Sequence, residues 1–213
     1  MHKPFIENMR KDMVENQLRQ RGITDDRVLD AMGDVPRHLF VTEDLRDEAY
    51  MDGPLPIGFG QTISQPYIVA YMTEVLKVEQ HHSVLEVGTG CGYQAAILST
   101  LARNIVSLER IKELAESAQR RLQELGYTNV DVINTNGWHG YEKKAPYDRI
   151  IVTAGAKKIP QALLDQLSNN GIMIIPVGKI MFSQTLRIIS KDSNGNVTKQ
   201  TSLPVRFVRL VNK

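Results

Sequence analysis

Two stretches of this chain carry residue types that can hold or act on a small molecule. One is Val84-Leu85-Glu86-Val87-Gly88-Thr89-Gly90-Cys91-Gly92, an apolar run ending in alternate glycines. Glycines so placed let the backbone turn tightly and approach a ligand closely. A dinucleotide-binding turn reads G-x-G-x-x-G, and here the third glycine comes one residue early. Glu86, just upstream, would repel a pyrophosphate but suits a cation. S-adenosylmethionine has a sulfonium and an ammonium and no phosphates, so it fits that charge. The other stretch ends in Glu109, just past the apolar run Ile105–Leu108. A carboxylate there can accept both hydroxyls of a ribose. Its alternative is a surface acid paired with Arg110.

Such residues need a scaffold that brings them together. Ser83–Val87, Ile105–Leu108, Val130–Ile133, Ile150–Thr153 and Ile172–Val177 read as strands. Between them, Ala95–Leu101, Ile111–Leu125 and Pro160–Leu167 read as helices. Strands alternating with helices imply a parallel sheet covered on both faces. Leu186–Ser190 and Val205–Val211 read as two last strands joined at Asn194-Gly195, which gives an antiparallel edge. The expected fold is α/β: a doubly wound, mostly parallel Rossmann-like sheet with helices on both faces and an antiparallel edge. Ligands of such sheets sit beyond the carboxyl ends of the strands. That rule points to the loops after Val87, Leu108 and Ile133.

Upstream, a helix is expected within residues 5 to 21, with Met9, Met13 and Leu18 inward. Thr24 reads as the N-cap of a second helix burying Val28, Leu29 and Met32; the capping box is incomplete, because Arg27 stands three residues on. Gly53 to Gly60 reads as a loop. A single domain over 1–213 is expected, with helices and a substrate loop in 1–82 and the cofactor sheet in 83–213.

Bulk properties narrow the classes. The 213 residues carry 26 basic and 24 acidic side chains, a net charge of +2, with no long run of either sign. Nucleic-acid binding usually shows a concentrated basic footprint, and none is present. No apolar stretch reaches the roughly 20 residues that cross a bilayer. The one cysteine, Cys91, cannot form an internal disulfide. A cytoplasmic monomer is expected, with no nucleic-acid or membrane partner. The five histidines show no metal-ligand spacing, so no metal is expected.

A further motif, Gly58-Phe59-Gly60-Gln61-Thr62-Ile63-Ser64-Gln65-Pro66-Tyr67, precedes the glycine loop. Together with Glu86–Ala95, Val106–Ile111 and Ala145–Ala154, it closely resembles the protein-L-isoaspartate O-methyltransferases. Val35-Pro36-Arg37-x-x-Phe40 and Val205-Arg206-Phe207-Val208 match them as well. The resemblance runs from about Val14 to Leu210. It implies a Class I methyltransferase sheet with its two last strands exchanged in order. It also implies methyl transfer from S-adenosylmethionine to the free α-carboxylate of L-isoaspartyl residues in damaged proteins and peptides, leaving S-adenosylhomocysteine. The ester then re-forms a succinimide, part of which opens to normal aspartate.

The resemblance carries over positions. Ser64 matches the active-site serine, with Thr62 and Ile63 beside it. Gly88, Gly90, Glu109, Asn136 and Gly137 fall at cofactor positions; Ile63, Glu86 and Thr89 are expected to join them, and Thr62, Ser64 and Arg206 to meet the substrate. Arg206 could equally face solvent. The family usually has Gly-Asp-Gly where this chain has Thr135-Asn136-Gly137, so weaker cofactor binding is expected, since the amide keeps an acceptor but loses the charge. Cys91 stands where serine is common; it reads as a small loop residue, or as a thiol activated by the helix start. Two other readings remain open: another Class I methyltransferase, or a cofactor-weakened protein that binds isoaspartyl chains.

Overall fold

The structure is a computed structural model describing residues 3–178 and 184–212. Chain entry is helical: α1 (Lys3–Asp12) runs on through a π turn, Met13–Leu18, and a 3-10 turn, Arg19–Arg21. Gly22, at φ 93°, stops it. Met13 and Leu18 are buried, with Met9 packed against them. Next comes α2 (Asp26–Asp34), which buries Val28, Leu29 and Met32 as expected. Its N-cap is Asp25, not Thr24: the Asp25 carboxylate accepts from Arg27 N at 3.0 Å. The reason lies in α3 (Pro66–Leu76), whose Glu74 Oε1 accepts from both Thr24 N and Asp25 N at 2.7 Å. The cap is therefore one residue later, and Thr24 serves to tether two helices.

The segment expected as a loop at Gly53 to Gly60 contains a strand. β1 (Leu55–Gly58) pairs antiparallel with β2 (Gln61–Ile63). Gly58, Phe59 and Gly60 all sit at positive φ in the turn between them. This hairpin delivers Thr62-Ile63-Ser64 to the start of α3.

The central sheet holds β3 (Ser83–Val87), β4 (Asn104–Glu109), β5 (Val130–Asn134), β6 (Tyr147–Val152), β7 (Leu167–Val177), β8 (Gln184–Lys191) and β9 (Val197–Val205). Their spatial order is β5-β4-β3-β6-β7-β8-β9. All pair in parallel except β8, which runs antiparallel to both its neighbours. The last two strands thus follow in chain order at the edge. Strand order reverses between β3 and β6, which puts the ligand crevice at the carboxyl end of β3.

Helices α4 (Tyr93–Leu101) and α5 (Lys112–Glu124) join α2 and α3 on one face, over Val84, Ile105, Val130, Ile151 and Ile174. The other face, Leu85, Val87, Val106, Ile150 and Ile175, is covered by less. There, α6 (Gln161–Asp165) contributes Leu163, and the turns near Trp138 and Tyr141 supply the rest. Helices lie on both faces, but unequally.

One strand is misplaced in the sequence reading. The return strand of the last hairpin is Val197–Val205, not Val205–Val211. Asp192 Oδ1 accepts from Asn194 N and Asn196 N, so the chain reverses at once and pairs from Lys191↔Val197 onward. Residues 206–211 leave the sheet, and Gly155 catches them: its N donates to Val208 O at 2.7 Å, and its O accepts from Leu210 N at 2.9 Å.

Candidate active site

The glycine loop takes its shape from three left-handed glycines, Gly88 (φ 105°), Gly90 (φ 55°) and Gly92 (φ 90°). Side chains avoid that region, so the spacing reflects conformation directly. Gly88 is also constrained by packing, since a Cβ there would lie 2.3 Å from Thr153 Oγ1. Thr153 follows β6 and donates to Gly88 O at 2.6 Å. Gly92 opens α4.

Glu109 ends β4 and braces this loop. Its Oε2 accepts from Gly90 N and its Oε1 from Ile111 N, both at 2.9 Å. The side chain is buried, so the surface reading with Arg110 does not hold. Each oxygen keeps a second lone pair. Glu109 lines a cleft together with Gly88, Thr89, Gly90, Asn136 and Gly137.

Glu86 does not line that cleft, which corrects its reading as a cofactor contact. Strand alternation turns its side chain under the loop, where it is fully buried. Ser107 donates to Glu86 Oε2, and the Ser107 and Thr89 hydroxyls share a hydrogen bond at 2.6 Å. Burial pushes the Glu86 carboxyl up to about 8, so at neutral pH it is mainly protonated and supplies no anion to attract a sulfonium. Cys91 lines the cleft, and burial pushes its thiol up as well. The small-residue reading is the one the structure supports.

Asn136 lies beyond β5 and lines the cleft. Its Oδ1 accepts from Trp138 N at 3.0 Å, capping the short turn Gly137–His139. Gly137 must be glycine for packing reasons: a Cβ would lie 2.4 Å from Val87 Cγ1.

Ser64 stands where this cleft opens into a second cavity. Thr62, Ser64, Thr153 and Val208 line both. Ile63 lines only the first, and Arg206 and Phe207 only the second. The structure therefore brings Thr62, Ser64 and Arg206 together around one cavity. Arg206 is exposed, and no salt bridge engages it among the described residues.

Sequence reasoning overlooked Thr153, Arg37 and Gln184. The strand-end rule could have found Thr153, because β6 also ends at the crevice. Arg37 is fully buried; its Nε donates to Ala49 O at 2.6 Å and its Nη2 to Ser64 O at 2.8 Å. Its guanidinium carbon sits 4.9 Å from the Tyr93 ring centre. Desolvation lowers its pKa, and the nearby Tyr93, Cys91 and Tyr50 side chains work against that. Gln184 had no signal in the sequence. No group of residues that could hold a metal ion occurs among the described residues.

Comparison with known proteins agrees with this geometry. A family model described as Protein-L-isoaspartate(D-aspartate) O-methyltransferase matches residues 8–213. A Synechococcus protein-L-isoaspartate O-methyltransferase is 53% identical over 214 residues, covering 98% of this chain and 87% of its own. One from Geobacter metallireducens is 50% identical over 204 residues, covering 96% and 94%. Among solved structures, a Plasmodium falciparum protein described as a putative protein-L-isoaspartate O-methyltransferase in complex with S-adenosyl-L-homocysteine superposes with a TM-score of 0.81. It is 29% identical and covers 96% of this chain and 99% of its own.

Proposed function

This chain belongs to the protein-L-isoaspartate O-methyltransferase family, and from that premise we propose how its two joined cavities divide the work. The reaction is methyl transfer from S-adenosylmethionine to the free α-carboxylate of an L-isoaspartyl residue in a damaged protein or peptide. The glycine-lined cleft holds the cofactor and the second cavity holds the isoaspartyl residue. The observation that carries this division is the position of Ser64, which borders both spaces.

The residues present fit the cofactor. Glu109 is fixed by two backbone N–H groups with lone pairs to spare for the ribose hydroxyls. Gly88, Thr89 and Gly90 would hold the methionine portion, and Asn136 and Gly137 the adenine. Ile63 closes the cleft from the hairpin side. When bound, S-adenosylmethionine supplies an electrophilic methyl group on a positively charged sulfur.

The methyl acceptor needs no base. An α-carboxyl has a reference pKa of about 3.3–3.7, so it arrives ionised. This explains a serine without a histidine–aspartate relay. The Ser64 hydroxyl donates to one carboxylate oxygen and aims the other, with Thr62 beside it and Arg206 attracting the carboxylate from the rim. Orientation of two bound reactants contributes roughly 7–11 kcal/mol. Both charges shrink in the transition state, so a partly dry site favours it. Arg37 keeps Ser64 in place from behind through the Ser64 carbonyl.

The same reading takes the enzyme as one domain acting as a monomer in the cytoplasm. No described helix is long and apolar enough to cross a membrane. Incubation with methyl-labelled S-adenosylmethionine and a matched peptide pair, one isoaspartyl and one aspartyl, tests the reaction. Base-labile label on the isoaspartyl peptide alone is expected. Label on neither, or on both equally, would overturn the assignment.

A further inference from the structure

The wall shared by the two cavities is a strap, residues 206–211, that lies outside the sheet. Ladder pairing of β8 with β9 ends at Gln184↔Val205. Beyond that point the Gln184 side chain takes over. Its Oε1 accepts from Phe207 N at 2.8 Å, and its Nε2 donates to Phe207 O at 3.1 Å. One amide thus satisfies both backbone groups of one residue, as a neighbouring strand would. Gln184 is only 1% exposed. Room for it comes from Gly155, where a Cβ would lie 2.3 Å from Gln184 Nε2.

We propose that Gln184 is a positioning residue for methyl transfer, fixing the strap so that Arg206 and Phe207 shape the substrate cavity while Val208 borders both cavities. The proposal rests on the division of the cavities given above. Three features argue for a dedicated role. The clamp is reciprocal, so it fixes orientation as well as distance. It holds the one residue that stands between Arg206, in the substrate cavity alone, and Val208, in both. And Gly155, which makes room for the amide, itself bonds Val208 and Leu210 of the same strap. Side chain and glycine therefore grip the strap from two sides.

Two variants and the unmodified enzyme test this. Gln184→Met keeps the length and loses both bonds. Leaving a buried donor and acceptor unpaired shifts an equilibrium by about tenfold or more. The Michaelis constant for an isoaspartyl peptide is expected to rise about tenfold, with the thermal midpoint only modestly lower. Gln184→Glu is the sharper probe. A protonated carboxyl can accept from Phe207 N and donate to Phe207 O, whereas a carboxylate repels that carbonyl. Burial favours the protonated form of the introduced carboxyl. The ionisable groups on the strap, Arg206 and Arg209, are both arginines and add no titration step in the pH range used. The ratio of variant to wild-type kcat/KM is therefore expected to climb toward one as pH falls from 8.5 to 6. A purely structural residue would instead move the melting temperature with pH while the folded variant kept the wild-type Michaelis constant for the peptide.

Amide hydrogen exchange reads the clamp without turnover. In the unmodified enzyme Phe207 N–H is expected to be protected. A Phe207 N–H exchanging at the unprotected rate, or a pH-independent ratio for Gln184→Glu, would overturn the proposal. Failure of the unmodified enzyme to methylate isoaspartyl peptide would instead overturn the assigned activity, and exchange at Phe207 would still judge the clamp.

Discussion

Replacing Asn136 by aspartate is expected to tighten cofactor binding five- to tenfold. The Asn136 amide oxygen already accepts from Trp138 N at 3.0 Å. What remains for a ligand is the NH₂ group, a donor, and the second lone pair of a neutral oxygen already engaged, while the adenine 6-amino group is itself a donor. Turning the amide over would offer its oxygen to the ligand but would abandon the cap. An aspartate has no such conflict, because one oxygen caps Trp138 N while the other accepts from the adenine. Aspartate and asparagine cap about equally well, so the fold is not at issue. A hydrogen bond to a charged group is worth about 1.5–3 kcal/mol net, and a neutral one about 0.5–1.5. The difference of roughly 1 kcal/mol corresponds to the stated fold-change.

Calorimetry with S-adenosylhomocysteine on wild type and Asn136→Asp reads this directly. A second ligand sharpens it: the inosyl analogue, which carries a 6-oxo acceptor in place of the amino donor. The wild-type NH₂ group suits that acceptor, so preference for the adenosyl form is expected to be larger in Asn136→Asp than in wild type. Equal or weaker binding of S-adenosylhomocysteine by Asn136→Asp, with an unchanged melting temperature, would refute the reasoning.

Other substitutions probe the remaining groups. Ser64→Ala removes one bond to a charged acceptor and is expected to lower kcat roughly ten- to hundredfold while leaving S-adenosylhomocysteine affinity intact, which single-turnover kinetics and calorimetry separate. Arg206→Gln is expected to raise the Michaelis constant for the peptide, an effect that should shrink as salt is added if attraction is its cause. Arg37→Met strands the Ala49 and Ser64 carbonyls and is expected to destabilise the protein by roughly 2–4 kcal/mol in urea titration. Glu86→Gln bears on pH. Between 4.5, its value when unfolded, and about 8, the folded state holds a proton that the unfolded state has lost, so wild-type stability falls as pH rises. The variant lacks that slope, and its melting temperature is expected to gain on wild type up to about pH 8 and then run level with it. A constant gap across that range would show that Glu86 is not buried in its neutral form.

Strands β3 to β6 were legible because each is an apolar run between breakers, and the glycine loop because its left-handed geometry demands glycine. β9 was not. Its residues from Val197 to Thr201 are exposed, so no periodicity marks them, whereas Val205–Val211 is more apolar and mimics a strand. Only pairing with β8 reveals the difference. β1 hid among prolines and glycines that usually mean a loop. Glu86 shows a subtler limit. Its closeness to the loop in sequence is real, but strand alternation puts it beneath the loop, out of the cleft. Gln184 could not be found by local pattern at all, and Val35-Pro36-Arg37-x-x-Phe40 marks Arg37 without its role, because they bond residues 23 and 27 positions away.

Those two side chains point to a shared principle of construction. The sheet fixes the glycine loop, Glu109 and Thr153 through strand ends, so the cofactor wall inherits the rigidity of the core. The substrate wall has no such support, since Ser64 follows a two-stranded hairpin and residues 206–211 have left the sheet. Each is instead tied down by a buried side chain reaching a backbone carbonyl, Arg37 to Ser64 and Gln184 to Phe207, the second joined by the Gly155 backbone. Such ties hold the main chain and leave nearby side chains free to meet whatever sequence surrounds the damaged residue. An enzyme that must recognise an altered backbone in many proteins gains from that arrangement. It also follows that losing either tie acts on both cavities, because Ser64 and Val208 border both, and leaves in place only the part of the cofactor wall that strand ends build.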